Sequence, residues 1–530
     1  MASPAVTLPE LLRNTVACHG HRPAVVMEDQ ALTYAELDAA SNRMAHSLLR
    51  QGIGRGDRVA LWLPMPVESF IALWGTLKAG AICVPIEPAA PLGRLVKMVH
   101  NCEAVGLVTS ADRAPLLKTE FDAGTQVRAV WYAGKSADEP EPAAVRAVQW
   151  GEIEGESAEP PPVAIDGDEV AVIQYTSGST GMPKGAMLPH RGLCWRAARG
   201  PNSLEITFGD RMPAYRPTAF VFSGIGAGAA IYPVSPRIAA FPAAVAKSWS
   251  EQRLTVWTVV PSVLNLMLKH GNLDALDLSS LRIIAMRGEV LPLEQLRKLM
   301  ELLPRTRFFN IYGSTESMAG NVHEIKFPPR EIDTRRIGNW APGCVPLVLD
   351  ENEALVADGA AGELWVAAPS MMRGYWGLPE KTAEVLKQIE IGAGKRMLAY
   401  RTGDLVRRLD DGGLEFLGRA DLQVKVRGFR VEIGEVEATL QRHPKVAQAV
   451  VVAVSGGTFG KRLKAVVMLR DDAVSDMREL QRHCAAALPL YMVPESIEFR
   501  SSLPIMDNGK VNRRALLAEL ESRTKEGFGK

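Results

Sequence analysis

One loop in the sequence combines the residue types that bind phosphate groups. It runs from Tyr175 to Gly185 as YTSGSTGMPKG, directly after the apolar run VAVI, which predicts a buried strand. Glycines let the backbone approach an anion closely, hydroxyl groups donate hydrogen bonds, and Lys184 supplies positive charge. The loop lacks the Gly-Lys-Ser/Thr ending of a Walker loop, so we predict a polyphosphate-binding loop of another type. Its contacts are expected from Thr176, Ser177, Gly178, Ser179, Thr180, Gly181 and Lys184.

The size and charge of the chain narrow the classes of protein to which it can belong. It has 530 residues, enough for three or four domains at roughly 150 residues each. Lys and Arg number 61 and Asp and Glu number 60, so no strong positive field is present to hold a nucleic acid. Hydrophobic residues make up 47% and charged residues 23%, as in folded globular proteins. The composition argues against a nucleic-acid-binding protein and against a disordered chain.

The cysteines and the apolar segments bear on the cellular compartment. The six cysteines form no CxxC pair and no Cys/His cluster, so we expect buried thiols in a reducing compartment and no structural metal. The first residues lack the basic stretch and apolar core of a signal peptide. The most apolar segment, from 219 to 234, is shorter than the ~20 residues that a bilayer requires. We therefore expect a cytoplasmic protein without a membrane partner.

Helix-like and strand-like patterns alternate near the N-terminus. Helical periodicity from Tyr34 to Gly52 precedes the strand pattern RVALWLP, and the helix-like run VESFIALWGTLKAG precedes the strand pattern AICVPI. Alternation of this kind predicts an α/β domain built on a sheet with helical crossovers. A Pro- and Glu-rich stretch from 137 to 162 is interpreted as a solvated connection that separates two halves of this domain.

A second domain is predicted near the C-terminus. The boundary falls after the turn DDGG, which divides the chain into a large domain of residues 1–419 and a small domain of residues 420–530. The small domain is predicted to be α+β. Its elements in order are a strand in LQVKV, a helix in GEVEATLQRH, strands in VAQAVVVAV and LKAVVML, a helix in MRELQRHCAAAL, a strand in SIEFR, and a helix after Asn512.

Eight segments of the chain together resemble the adenylate-forming superfamily, which includes acyl-CoA synthetases, adenylation domains of nonribosomal peptide synthetases and luciferases. In the family's order they are LTYAEL, LKAGAICVPIEP, the phosphate loop, NIYGSTE, GELWVAAPSMMRGYW, YRTGDLVRR, GRADLQVKVRGFRVEIGEVE and LPIMDNGKVNRRAL. One such segment would be weak support for membership of this superfamily, whereas eight in the family's order are specific for it. The resemblance implies a large N-terminal α/β domain with a small mobile α+β domain, and a reaction that uses ATP and Mg²⁺.

The implied first step joins a carboxylate to the α-phosphate of ATP, so the site must collect cations and hydrogen-bond donors around two anions. The resemblance places Glu316, in YGSTE, beside Mg²⁺ and Thr315 in contact with phosphate. It also places Lys510, in DNGK, between the substrate carboxylate and the α-phosphate. The expected catalytic residues are Lys510, Lys184, Thr315 and Glu316, with Glu316 as the metal ligand.

Further positions are expected to bind the rest of the nucleotide. Asp404, in RTGD, matches the residue that accepts both ribose hydroxyls, and Arg419 matches an arginine near the ribose and phosphate. Asn310 and Tyr312 are placed to contact and stack on adenine.

The small domain is implied to rotate between the two half-reactions. Asp421 matches the family's hinge position. Gly428, with Lys425 beside it in QVKVRGF, matches the segment that meets the thiol in the second step. Glycine would let a pantetheine arm pass close to the backbone.

The acid-binding positions depart from the family's patterns. Peptide-synthetase domains carry an Asp that binds the α-ammonium of an amino acid, and an alignment from Asp210 places Val221 there. The His that acyl-CoA synthetases often carry in this region is also missing. A buried ammonium without a carboxylate is costly, so an ordinary α-amino acid is not expected. The pocket is expected to comprise Val221, Phe222, Ile225, Thr258, Ala285, Arg287, Ile311, Ala319 and Gly320.

Arg287 stands where the family generally has Gly or Ala. One hypothesis is that its guanidinium recognises a second carboxylate or another acceptor on the substrate. The other is that it folds back to pair with Glu289 or with the nucleotide. An unchanged preference among acids in an Arg287→Ala variant would contradict the first hypothesis.

The acceptor of the acyl group is expected to be a thiol. The segments around Gly428 and Lys510 look more like peptide-synthetase adenylation domains than coenzyme A ligases, and only 20 residues follow Lys510. We therefore expect a separate carrier protein bearing phosphopantetheine, with coenzyme A as the alternative acceptor. A non-catalytic nucleotide-binding relative is the rival of another class. The sequence leaves the acid and the oligomeric state open.

Overall fold

The computed structural model of the chain describes most of its residues. They are 5–27, 30–64, 66–117, 125–134, 145–178, 182–215, 219–239, 241–290, 292–338, 340–391, 394–421, 423–455, 460–470, 473–504 and 511–527. Among their helices, none has the length and apolar character needed to cross a bilayer.

The described residues form α-helices and β-strands in the following order. The helices are α1 (Leu8–His19), α2 (Tyr34–Arg50), α3 (Val67–Lys78), α4 (Leu92–Asn101), α5 (Ala114–Leu117), α6 (Trp150–Ile153), α7 (His190–Leu204), α8 (Ala219–Gly226), α9 (Pro236–Ala239), α10 (Pro242–Glu251), α11 (Pro261–His270), α12 (Leu293–Leu302), α13 (Pro379–Val385), α14 (Ile433–Gln441), α15 (Met477–Ala487) and α16 (Arg513–Gly527). The strands of the N-terminal part are β1 (Pro23–Met27), β2 (Gln30–Thr33), β3 (Arg58–Trp62), β4 (Ile82–Pro85), β5 (Gly106–Ser110), β6 (Ala129–Ala133), β7 (Arg146–Gln149), β8 (Val170–Thr176), β9 (Lys184–Pro189), β10 (Arg211–Ala214), β11 (Ala230–Pro233), β12 (Val256–Val259), β13 (Ile283–Arg287), β14 (Arg307–Tyr312), β15 (Asn321–Ile325), β16 (Val345–Leu349), β17 (Ala361–Ala367), β18 (Leu386–Glu390), β19 (Arg396–Arg408) and β20 (Leu414–Arg419). The strands that follow are β21 (Gln423–Val426), β22 (Phe429–Glu432), β23 (Val446–Ser455), β24 (Lys461–Leu469) and β25 (Ser496–Phe499).

A seven-stranded sheet forms the centre of the N-terminal part. Its strand order is β7-β6-β5-β3-β4-β8-β9, and all neighbours are parallel except β8 and β9. The predicted alternation from Tyr34 onward is confirmed by α2, β3, α3 and β4. Helix α2 begins with a capping box in which Thr33 and Glu36 bond each other's backbone N–H groups. The sheet places the end of β8, where the phosphate loop starts, at its carboxyl edge.

The prediction that residues 137–162 separate two halves of the large domain is wrong. Residues 137–144 lie outside the described part of the chain, and β7 follows at the edge of the seven-stranded sheet. Strand β8 then enters the same sheet beside β4, so one sheet continues across the stretch. Burial of Val148 on β7 outweighs the polar composition around it.

Three further sheets complete the N-terminal part. The first two have the orders β10-β11-β1-β2 and β12-β13-β14-β15, and β12, β13 and β14 run parallel. The third is antiparallel, in the order β16-β17-β19-β18, with β20 paired to β19. Parallel alignment of β12, β13 and β14 brings their carboxyl ends to one edge, beside the start of the turn that follows Tyr312.

The C-terminal part is a small α+β domain, as predicted. Each predicted helix and strand is present, as β21, α14, β23, β24, α15, β25 and α16. The prediction missed β22, which pairs with β21 in a hairpin. No strand pairing in the described part of the chain joins β1–β20 to β21–β25. This separation supports our proposal that the two domains meet between residues 419 and 420.

The cysteines are all free, and five are buried. Cys18 is exposed on α1, so the expectation of burial is wrong for this residue. It occupies the polar side of an amphipathic helix, where the small thiol costs little in water.

Candidate active site

The phosphate loop connects two hydrogen-bonded strands. Strands β8 and β9 are antiparallel, with Thr176 opposite Lys184 at the base of the loop. The hydroxyl of Thr176 donates a hydrogen bond of 3.4 Å to the carbonyl of Lys184. The expected phosphate contacts Ser179, Thr180 and Gly181 lie outside the described residues. The strands thus fix both ends of the loop.

A second segment of the large domain braces β9. The backbone N–H of Trp376 donates to the carbonyl of Gly185 at 2.8 Å, and Met187 N–H donates to the carbonyl of Gly374 at 2.9 Å. The intervening Tyr375 lies under the amine of Lys184, which is 5.1 Å from the centre of its ring. Burial, followed by repulsion from a nearby arginine, lowers the pKa of Lys184.

Glu316 is the buried carboxylate of the site. It lies in the turn after β14, directly after the half-buried Thr315, and its side chain is 0% exposed. The hydroxyl of Tyr375 donates a hydrogen bond of 3.0 Å to Oε1. Arg430 donates from Nη1 to both carboxylate oxygens, at 2.8 and 2.9 Å. Burial opposes ionisation, but the charge of Arg430 and these hydrogen bonds outweigh it, so the pKa of Glu316 lies below its ordinary value.

Arg430 reaches Glu316 from the hairpin of the small domain. The two residues at the hairpin turn, Arg427 and Gly428, both have positive φ, at 50° and 78°, as a two-residue turn of this hand requires. The N–H of Gly428 donates to Glu289 of the large domain at 2.6 Å. A Cβ at position 428 would lie 2.9 Å from Cβ of Val260, so only glycine fits at this contact. The turn therefore sits directly on the large domain.

The start of the phosphate loop also contacts the small domain. The hydroxyl of Ser177 donates to the carbonyl of Arg430 at 2.9 Å. The N–H of Gly178 lies 3.3 Å from Oε2 of Glu435 on α14, and Arg94 on α4 donates to Oε1 of the same carboxylate at 2.6 Å. The expected loop residues Ser177 and Gly178 are thus engaged by the small domain in this orientation.

Three of the four residues expected to bind the nucleoside, Tyr312, Asp404 and Arg419, form one hydrogen-bonded group. Asp404 accepts hydrogen bonds from the hydroxyl of Tyr312 and from Nη1 of Arg419, the latter at 2.8 Å. Arg419 also donates to both oxygens of Asp421, at 2.9 and 2.5 Å. Burial opposes the charge of Asp421, but the bonds to Arg419 lower its pKa. Asn310 donates its side-chain amide to the carbonyl of Arg336 at 2.8 Å on the neighbouring segment.

Of the two lysines expected from the small domain, the structure describes one. Lys425 lies on β21 with its side chain directed toward Gly288, where a Cβ would be 4.0 Å from its Cδ. Burial, together with repulsion from Arg430 and Arg419, lowers the pKa of Lys425. Lys510 lies outside the described residues.

The expected acid pocket is assembled from α8 and the ends of three parallel strands. Thr258 pairs with Ala285 across β12 and β13, and Arg287 pairs with Ile311 across β13 and β14. Residues 285 and 287 alternate along one strand, so their side chains share a face. Of the nine expected residues, eight are buried and Arg287 alone is exposed; the buried ones are Val221, Phe222, Ile225, Thr258, Ala285, Ile311, Ala319 and Gly320.

Two arginines approach the same aromatic ring beside this pocket. The guanidinium carbon of Arg287 lies 5.1 Å from the ring centre of Phe220, and that of Arg196 lies 5.5 Å from it. Glu289, the alternative partner considered for Arg287, accepts hydrogen bonds from the backbone N–H groups of Ser262 and Gly428.

The sequence assigned no role to three residues that the structure brings to the site, namely Arg430, Tyr375 and Arg196. Glu289 was considered only as a partner of Arg287, and the structure bonds it to Gly428. Arg430 and Tyr375 lie within RGFRVE and RGYW, two segments that carried the resemblance. Their distance from Glu316 along the chain gave no indication that they contact it. Arg196 offered no signal, because a lone arginine in a helix pattern is usually a solvated residue.

Comparison with known proteins identifies the family of both domains. The family model described as AMP-binding enzyme matches residues 12–376, and the model of the AMP-binding enzyme C-terminal domain matches residues 435–510. The L-proline--[L-prolyl-carrier protein] ligase of Pseudomonas fluorescens is 32% identical over 528 residues, which cover 97% of this chain and 99% of that protein. A dimodular nonribosomal peptide synthase of Bacillus subtilis is 33% identical over 97% of this chain, which spans only 22% of that larger protein.

A solved structure shows the same fold. The amide bond synthetase McbA from Marinactinospora thermotolerans aligns over 96% of this chain and 99% of its own, with a TM-score of 0.80 and 24% sequence identity. The family models cover both domains, and the prolyl-carrier protein ligase matches nearly end to end. The chain therefore belongs to the AMP-binding enzyme family and is an adenylate-forming ligase.

Proposed function

We propose that the protein adenylates a carboxylic acid with ATP and then transfers the acyl group to the phosphopantetheine thiol of a separate carrier protein. One observation carries the proposal: the buried carboxylate of Glu316 meets Arg430 of the small domain and Tyr375 beside the phosphate loop. A carboxylate, a cationic residue and the loop thus share one place where two anions must react.

In the first step, a carboxylate oxygen of the acid attacks the α-phosphorus of ATP, the bond from that phosphorus to the bridging oxygen breaks, and pyrophosphate leaves with the electron pair. Lys184 and the donors at the loop would bind the phosphates, and Thr315 would add a hydroxyl contact. Asp404 and Arg419 would hold the ribose, since the carboxylate and guanidinium are already oriented by mutual hydrogen bonds. Lys510 would neutralise charge between the acid and the α-phosphate.

The site fits a Mg²⁺ ion that is also bound by phosphate. Magnesium in nucleotide sites takes one or two carboxylates together with phosphate oxygens, and Glu316 is a buried carboxylate with a lowered pKa. In the described part of the chain, no three metal-ligating side chains come together, so the phosphates would supply the further ligands. When bound, the ion would withdraw charge from the phosphates.

In the second step, the thiol gives its proton to solvent, its sulfur attacks the acyl carbon, and AMP leaves with the electron pair of the broken mixed-anhydride bond. The hairpin turn at Gly428 would form part of the passage for the thiol, because it lies on Val260 and Glu289 of the large domain. Lys425 on the same hairpin would face the leaving nucleotide. Rotation about Asp421 would bring Lys510 and the hairpin to the site in turn.

A carrier protein is favoured over coenzyme A as acceptor because a relative of the same length is a carrier-protein ligase. The acid is proposed not to be an ordinary α-amino acid. Val221, where peptide-synthetase domains have an Asp, is 3% exposed, so an ammonium there would be buried against an aliphatic side chain.

The test is ATP–pyrophosphate exchange by the purified protein with a panel of β-amino, hydroxy, aryl and dicarboxylic acids. We expect exchange with a subset of acids, and acyl transfer to a holo carrier in preference to coenzyme A. Exchange with none of the acids would overturn the proposal and favour a non-catalytic nucleotide-binding role. Faster transfer to coenzyme A would overturn the choice of acceptor alone.

A further inference from the structure

Arg196 is a buried arginine at the wall of the proposed acid pocket. It lies on α7, and its side chain is 6% exposed. Helix α7 approaches the rest of the large domain closely, since a Cβ at Gly192 would be 3.2 Å from the Cα of Ser370. This packing directs Arg196 toward Phe220 and Gly320.

Within the described part of the chain, the guanidinium of Arg196 has no counter-ion. Among the residues that the structure describes, none forms a hydrogen bond or an ion pair with it; Phe220 offers only the face of its ring, 5.5 Å away. Cys344 is a titratable group whose negative form would attract Arg196, but burial raises the pKa of that thiol to about 11, so it is neutral at physiological pH. Burial lowers the pKa of Arg196 to about 10, which still leaves the guanidinium charged.

Gly320 makes room for this side chain. It has a positive φ of 59°, and a Cβ there would lie 2.7 Å from Nε of Arg196 and overlap the guanidinium carbon. The next residue, Asn321, is also buried, and neither atom of its side-chain amide has a hydrogen-bond partner in the described structure. The guanidinium thus lies in space left by the missing side chain of Gly320, and an unpartnered buried amide follows at the next position of the chain.

A buried charge without a partner is costly, and attraction to one aromatic ring offsets only part of that cost. An anionic group of a ligand would remove the cost and would accept hydrogen bonds from the planar guanidinium, which suits a carboxylate. The positive charge would also repel an α-ammonium group, in agreement with the absence of an acidic residue at Val221.

We propose that Arg196 binds a second anionic group of the acid substrate, so that the enzyme acts on dicarboxylic acids or acids of equivalent double charge. This inference rests on the proposed function. It assigns to Arg196 the role first considered for Arg287, because Arg287 is exposed and an exposed guanidinium discriminates weakly between a charged and a neutral ligand. Both guanidinium groups lie beside the ring of Phe220, at 5.1 Å from its centre for Arg287 and 5.5 Å for Arg196.

The experiment compares each dicarboxylic acid with its own monoamide in ATP–pyrophosphate exchange. The two compounds share size and shape and differ in one charge. For the wild-type enzyme we expect kcat/KM to be about 100-fold higher with the cognate diacid, mostly through KM. In Arg196→Met that preference falls below about threefold while the monoamide is still adenylated, and in Arg196→Lys it is partly restored.

A matched control removes a charge from the same helix. Arg191→Gln takes away an exposed arginine whose ion pair is with Asp168, and we expect it to keep the wild-type preference. A thermal-shift assay gives a readout that does not depend on turnover: the diacid should raise the melting temperature of the wild type and not that of Arg196→Met. Without ligand, Arg196→Met should melt no lower than the wild type, since the described residues form no hydrogen bond with the Arg196 side chain.

Three results would overturn the inference. The first is that the wild type uses diacids and monoamides equally well. The second is that Arg196→Met keeps the preference for the diacid. In both cases the adenylating function stands and only the role of Arg196 is wrong. The third is exchange with no acid of either kind, which would remove the proposed function as well. If Arg196→Met does not fold, the role of Arg196 is still tested by the diacid and monoamide rates of the wild type and of Arg196→Lys.

Discussion

Nη1 of Arg430 lies 2.8 Å from one oxygen and 2.9 Å from the other oxygen of Glu316, so a single nitrogen of the small domain contacts a fully buried carboxylate of the large domain. Removing one member of such a pair leaves the other charge uncompensated, which costs about 3–5 kcal/mol. The contact therefore stabilises this orientation of the two domains, in which the hairpin turn at Gly428 lies on Val260.

We expect Arg430→Ala to slow the second half-reaction more than the first. The hairpin loses its central contact with the large domain, so acyl transfer to the thiol should fall about 100-fold, and pyrophosphate exchange by less than about tenfold. Single-turnover transfer from preformed acyl-adenylate measures the second step separately. The control is Arg427→Ala, because that exposed arginine pairs with Glu495 within the small domain. Equal losses in both steps would contradict this assignment.

Gly428→Ala should also act on the second step. A Cβ at this position would collide with Val260, and the positive φ of 78° disfavours any residue with a side chain. We expect acyl transfer to fall at least 100-fold with little change in exchange. The double variant Gly428→Ala/Val260→Ala should recover part of the rate, because the collision is relieved while the backbone strain remains. A Gly428→Ala enzyme that transfers the acyl group at the wild-type rate would show that the turn does not dock during catalysis.

Lys510→Ala should slow the first half-reaction and leave the second nearly unchanged, the reverse of the two variants above. If this lysine neutralises charge between the acid and the α-phosphate, its loss should lower pyrophosphate exchange by about 10²–10³, the effect of removing one preorganised electrostatic group. Transfer from preformed acyl-adenylate should be nearly unaffected. Lys461→Ala, which removes an exposed lysine on β24, serves as the control. Near-normal exchange by Lys510→Ala would refute the role.

His190 should make the stability of the large domain depend on pH. It is buried at the start of α7, where its Nδ1 accepts a hydrogen bond of 3.2 Å from Leu8 N–H, and burial lowers its pKa to about 4. Between pH ~6.5 and ~4 the unfolded chain binds a proton that the folded chain does not, so stability decreases as the pH falls, by up to about 3 kcal/mol. Urea unfolding at several pH values should show a weaker decrease for His190→Asn, which keeps an acceptor for Leu8. If the free energy of unfolding falls equally with pH in the wild type and in His190→Asn, His190 is not the source of the pH dependence.

Elements with strong local patterns were predictable from the sequence. Helix α2 has an apolar stripe and a capping box, and β23 has a long run of branched apolar residues, so local preference and tertiary packing agree. Strand β22 was missed because its four residues are too few for a period to show, and it depends on pairing with β21. Strand β7 was hidden by the prolines and acidic residues before and after it.

The site was only partly predictable, since its decisive contacts join residues far apart in the chain. The segment containing Glu316 was identifiable, whereas its partner Arg430 is 114 residues away and belongs to the other domain. Arg196 was unpredictable for a similar reason. Arg196 is buried because Gly320 has no side chain to occupy the same space. The sequence around either residue gives no sign of this contact.

The pairing of the Tyr375 segment with β9 has a consequence for the timing of catalysis. Because Gly374 and Trp376 bond the backbone of β9 while Tyr375 bonds Glu316, contacts of the fold itself hold Tyr375 and Glu316 in position. The entropy lost in ordering them is therefore a cost of folding, and it does not recur with each turnover. Substitutions that loosen this brace, for instance where the Trp376 indole donates to the carbonyl of Asn101 at 3.1 Å, should slow the chemistry from a distance without touching a substrate.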